Sequence, residues 1–101
     1  MSKQEKSENG AYRNLLKQIE SIEKHNNMGS KKTKKRYGSA IRSFIRFAAD
    51  KYNLQKFVNA GQKHMAAYAE EMKKYKSANT VMTDLSAIRF YYDHAKGEKF
   101  L

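Results

Sequence analysis

Residues 30–48 read Ser30-Lys31-Lys32-Thr33-Lys34-Lys35-Arg36-Tyr37-Gly38-Ser39-Ala40-Ile41-Arg42-Ser43-Phe44-Ile45-Arg46-Phe47-Ala48. Tyr37, Ile41, Phe44 and Ala48 recur at helical intervals and share one side of an α-helix. Ala40, Ile45, Phe47 and Tyr52 widen that stripe, and Ser30 stands where an N-cap belongs. With each residue turned about 100° from the last, Lys31, Lys35, Arg42 and Arg46 gather on the opposite side. Gly38 and Ser39 keep the middle of that polar face low in bulk. The spacing predicts a helix from just after Ser30 to about Tyr52, with its cations crowded at the start.

Three more helices follow from the same reading. Tyr12, Leu15, Leu16, Ile19 and Ile22 predict a first helix over residues 11–25, fading through His25-Asn26-Asn27-Met28-Gly29, where Asn and Gly suit a helix end. The stretch from Asn53 to Gly61 breaks the pattern, although Leu54, Phe57 and Val58 are apolar enough to tuck back into a core. A third helix starts near Gly61 or Gln62 with Met65, Tyr68, Ala69 and Met72 on one face, and ends in Lys73-Lys74-Tyr75-Lys76. Ser77 is a further N-cap, opening a fourth helix whose core stripe is Val81, Leu85, Ile88, Tyr92 and Ala95. Gly97 sits where a terminating glycine is expected. Phe90 falls nearly opposite that stripe, which predicts exposure, and with Tyr91 it marks a candidate docking face.

Composition agrees with an all-α fold: the 101 residues contain no proline and five glycines. One domain is the limit at this size. No run approaches the roughly 18 apolar residues of a membrane span, and the polar start from Met1 to Gly10 is neither a signal nor a transit peptide. The absence of cysteine excludes disulfides and thiolate metal sites, and fits a cytoplasmic protein.

Catalysis needs groups that converge in a cleft. His25, His64 and His94 fall in separate segments, and the glycines are too scattered for a phosphate loop. Glu70 and Glu71 lie on the solvent side of the third helix, spaced to pair with Lys73 and Lys74. Tyr37, Tyr68 and Tyr92 lie on core stripes, as buried rings with satisfied hydroxyls. The expectation is a chain that is not a catalyst by itself and takes neither cofactor nor metal.

The charge points to a polyanion. Of a net charge of +11, residues 31–36 carry five positive charges and no acid. A helix start is already partly positive, so cations there oppose local stability unless an anion is supplied, and such conflicts are expected at functional sites. The candidate phosphate contacts are Lys31, Lys32, Lys34, Lys35 and Arg36, with Arg42 and Arg46 continuing the stripe. Around the fourth helix start, Ser77, Asn79 and Thr80 offer short polar groups beside free backbone amides. Asn79, Thr83 and Ser86 share one side, from which small polar groups reach base edges or the sugar–phosphate backbone. An ordinary solvated lysine face and simple capping by Ser77 are the plainer readings. An anionic membrane surface is a second partner class, opposed by the core positions of Tyr37 and Phe44.

The segment from Ser30 through Thr33 to Tyr37, followed by Ile41, Phe44 and Phe47, resembles the S-x-x-T-x-x-x-Y…F…F signature of the core-binding domain of tyrosine recombinases, the phage integrases. Met65-Ala-Ala-Tyr68 through Met72 is similar to that family's next helix. Ser77-Ala-Asn-Thr80, leading to Leu85-Ser-Ala-Ile-Arg-Phe-Tyr-Tyr92, is similar to its last. The resemblance covers residues 11–96. It implies a compact SAM-like bundle of four helices that forms half of a clamp on double-stranded DNA, with Lys31, Lys32, Thr33, Lys34, Lys35, Arg36, Ser77, Asn79 and Thr80 facing the DNA. Outside it, residues 1–10 are expected to form a flexible segment and 97–101 to begin a linker, and the resemblance implies a separate catalytic domain as partner. Nothing here matches that domain's arginines, histidine motif or tyrosine nucleophile. Gly61-Gln62 departs from the family's Thr-Pro-like start of the third helix. The isolated chain is expected to be a monomer. The alternative is an independent small basic helical protein that binds RNA or a partner protein.

Overall fold

Four α-helices form where the apolar spacings place them: α1 (Gly10–His25), α2 (Lys31–Tyr52), α3 (Gln62–Met72) and α4 (Ala78–Lys99), with a short 3-10 turn at Phe57–Asn59. The computed structural model describes residues 10–25 and 31–99. The expected N-cap Ser30, the expected helix end over 26–29, and residues 100–101 lie outside them. Among the described residues the fold is all-α, without strands.

Each boundary has a local cause. Asn53 stops α2 by taking a left-handed backbone conformation, φ 53°, which Asn tolerates better than most residues. Its N–H returns to the Ala49 carbonyl at 2.9 Å. Gly61 caps α3, and its own N–H donates to Nδ1 of His64 at 3.0 Å. Ser77 caps α4: the Thr80 N–H donates to Ser77 Oγ at 3.3 Å. Gly97 does not end α4, which runs on to Lys99; glycine permits termination but does not impose it.

The segment between α2 and α3 is tied to α1 by two amide side chains. Gln18 donates from Nε2 to the Gln55 carbonyl at 2.9 Å and accepts from the Phe57 N–H at 2.7 Å. Asn14 Nδ2 donates to Gln55 Oε1 at 2.7 Å. Held this way, Phe57 enters the core as the sequence predicts, only 1% exposed.

The core joins Leu15, Ile19 and Ile22 of α1 to Ile41, Phe44, Ile45 and Ala48 of α2, with Tyr68 of α3 and Ile88 and Tyr91 of α4. Phe44 is its centre, meeting the rings of Phe57 and Tyr68 edge-on at 6.4 and 5.5 Å. The predicted α1 and α2 stripes hold, with two exceptions at their ends. Ala11 is buried as well, and Tyr52 lies at the surface against His64.

The α4 stripe is rotated from its expected position. The buried line is Val81, Asp84, Ile88, Tyr91 and Ala95, not Val81, Leu85, Ile88, Tyr92 and Ala95. Leu85 and Tyr92 remain partly buried and line a groove of about 500 Å³ between α3 and α4. Phe90 is not exposed: its ring meets Tyr37 at 5.5 Å and His94 at 4.4 Å. Because α4 touches α1, α2 and α3, it has no simple outer face opposite its core stripe.

Side-chain pairings also fix direction. Tyr37 meets Phe90, while Ser43 and Asp84 share the hydroxyl of Tyr68. Rising along α2 is therefore falling along α4, and the two helices run antiparallel.

Candidate nucleic-acid interface

The first turns of α2 hold five cations and no acid. Lys32, Thr33, Lys34, Lys35 and Arg36 are all exposed. Lys32, Lys35 and Arg36 make no ion pair with another described residue. Helical geometry fans such side chains around the end of α2, where the first N–H groups have no intrahelical acceptor. Positive side chains and the positive end of the helix dipole thus add at one place.

The basic stripe does not continue freely along α2. Arg42 turns toward α1 and grips Glu23 with both terminal nitrogens, each at 3.0 Å, while also donating to the Gly38 carbonyl at 3.1 Å. The Tyr91 hydroxyl donates to the same carboxylate at 2.7 Å. Burial opposes ionisation of Glu23, but the hydrogen bonds from Arg42 and Tyr91 and the charges of Arg42 and Lys34 outweigh it, and its pKa lies below the ordinary value. Burial first, and then the bond to Glu23, push the Tyr91 phenol up. The Arg46 guanidinium stacks 4.3 Å from the centre of the Tyr12 ring. Both arginines therefore join α2 to α1, because α1 packs on the flank that periodicity alone assigns to solvent. Gly38 belongs to this cluster too, buried rather than on an open polar face.

The start of α4 has a different character. Ser77 and Asn79 are exposed and Thr80 is partly so. Ser77 Oγ lies 3.1 Å from Thr80 Oγ1, and Thr83 donates to the Asn79 carbonyl at 3.1 Å. The lysines of the preceding turn have partners. Lys73 and Lys74 reach Glu70 and Glu71 at 3.3 and 3.5 Å, as their spacing predicts, and Lys76 reaches Asp84 at 2.7 Å.

Asp84 is the polar residue that sequence reasoning misses. It is 6% exposed and is held by Lys76 and by the Tyr68 hydroxyl, 3.3 Å from Oδ2 and 3.0 Å from Ser43 Oγ. The Asp84 bond raises the pKa of Lys76 above the ordinary value, and burial raises that of Tyr68. Its one sequence signal is position, an acid three residues after the buried Val81 and four before the buried Ile88.

The structure does not bring the two candidate surfaces together. With α2 and α4 antiparallel and Ser43 level with Asp84, the start of α4 lies beside the last turns of α2. At 1.5 Å of rise per residue, the basic turn and the Ser77–Thr80 turn are about 20 Å apart.

His25 and His94 each bond a backbone carbonyl one turn earlier, Ser21 and Phe90, at 2.9 Å. Burial and the nearby Lys63 lower the pKa of His64, whose ring accepts from the N–H of the capping Gly61. The described residues contain no group of three or more His, Asp or Glu placed to hold a metal ion, and none of their helices is long and apolar enough to cross a membrane.

These features define a small all-helical domain with one strongly cationic end. Residues 15–100 match the family model described as phage integrase, N-terminal SAM-like domain. That is most of the chain, and the chain belongs to this family. Comparison with curated proteins gives no match, and comparison with solved structures gives none.

Proposed function

We propose that this chain is the DNA-gripping core-binding domain of a site-specific tyrosine recombinase, and that it holds double-stranded DNA at the core recombination site for a catalytic domain of the same protein. The observation that carries the reading is the acid-free cationic start of α2 in a member of this family. Lys31, Lys32, Lys34, Lys35 and Arg36 meet the phosphates, with Thr33 among them. Ser77, Asn79 and Thr80 supply a second point of attachment one duplex width away. Arg42, committed to Glu23, orients the basic turn by locking α2 to α1 and adds little free charge. The domain binds without cutting, and it works in the cytoplasm.

Neutralising phosphates releases condensed counterions, so the log–log dependence of affinity on salt flattens by about 0.9 for each phosphate no longer neutralised. Replacing Lys32, Lys35 and Arg36 with Ala is expected to weaken duplex binding and flatten that slope by roughly 2 to 3. A gel-shift titration with an unchanged slope would overturn the assignment.

A further inference from the structure

Charge is distributed very differently around the two candidate surfaces. From Glu70 to Asp84 the sequence holds three lysines and three acids. Each lysine has one acid in reach: Lys73 with Glu70, Lys74 with Glu71, and Lys76 with Asp84. The two exposed pairs add little to stability. Their effect on an approaching phosphate is another matter, because it feels the charge summed over a Debye length of about 8 Å at physiological salt. Here that sum vanishes. Beside these paired charges, themselves exposed at Glu70, Lys73 and Lys74, stand uncharged side chains: Tyr75 is 71% exposed and Met82 66%, with Asn79 exposed between them in sequence.

Such groups fit base edges better than phosphates. An amide side chain pairs with adenine through two hydrogen bonds, and an apolar one meets the thymine methyl. We propose, resting on the DNA-binding reading above, that the α3–α4 turn and the first turns of α4 form a charge-compensated reading surface. Glu70, Glu71 and Asp84 suppress indiscriminate phosphate binding there. Tyr75, Asn79 and Met82 discriminate between sequences while α2 supplies the grip.

The full chain is tested on a duplex of random sequence and on duplexes enriched from a randomised pool. Glu70→Gln with Glu71→Gln, both at the surface, is expected to tighten random-duplex binding and steepen the salt slope by about 0.9 to 1.8 as one or two lysines are released. Asp84→Asn is expected to act in the same direction through Lys76. Met82→Ala and Tyr75→Ser are expected to leave the slope unchanged but to abolish the preference for enriched over random duplex. An unchanged slope in the Glu70/Glu71 variant, or an unchanged preference in the Met82 and Tyr75 variants, overturns the proposal. Duplex binding by the unaltered chain without any enriched sequence overturns it as well, and leaves the DNA-binding reading intact. No duplex binding at all ends both.

Discussion

A methyl group built on Gly38 would lie 3.1 Å from Arg42 Nη1 and 3.5 Å from Glu23 Oε2. That space is what lets the guanidinium fold back over its own helix and reach α1. Glu23 then satisfies two donors from Arg42 and one from Tyr91, residues drawn from two other helices. Glu23→Gln keeps the shape but removes the charge, leaving a half-buried Arg42 poorly matched. The expected destabilisation is about 1–3 kcal/mol at neutral pH. The pH dependence has a definite sign. Because the folded state lowers the Glu23 pKa below 4.5, its contribution is complete above that value and disappears as pH falls through the folded pKa. The stability gap between the native chain and Glu23→Gln therefore narrows on acidification, measurable as converging denaturant midpoints.

At the scale of helices, α2 is the most legible element in the sequence and α4 the least. In α2 the large apolar residues all point one way, so spacing alone identifies Phe44 as core. Phe44→Ala is expected to cost about 3–5 kcal/mol, and a melting temperature equal to that of the native chain would refute its central place. In α4 the polar members of the buried line, Asp84 and Tyr91, resemble surface residues in sequence, while Leu85 and Tyr92 resemble core. Hydrophobicity is the only periodic signal there, and it places the stripe one position off. What holds Asp84 is a lysine before α4 and a tyrosine on α3 whose hydroxyl also meets a serine on α2, and no periodicity within α4 encodes those partners.

For the whole molecule, helix number, order and approximate extent follow from spacing and caps, which are local properties, although α4 runs past Gly97. The assignment of cations to partners does not, because it depends on which helix lies beside which. Arg42 and Arg46 share a helical face with Lys35, yet α1 covers that flank and claims both arginines. The basic turn escapes because it lies at the end of its helix. The antiparallel course of α2 and α4 likewise turns two helix starts into two ends of one body.

The amide clamp of Gln18 has a consequence for motion. The Phe57 N–H lies in a short connecting segment, where exchange with solvent is ordinarily fast, yet its acceptor is a side chain on α1. Its proton is released only when α1 lifts away or the connection unfolds. Deuterium uptake at this one amide is therefore expected to be slow and to follow the docking of α1. Gln18→Ala is expected to speed it about tenfold while helix content barely changes, since a hydrogen bond of roughly 1.4 kcal/mol is worth that factor in an opening equilibrium. A single proton far from the basic turn thus reports whether the bundle that carries it is closed.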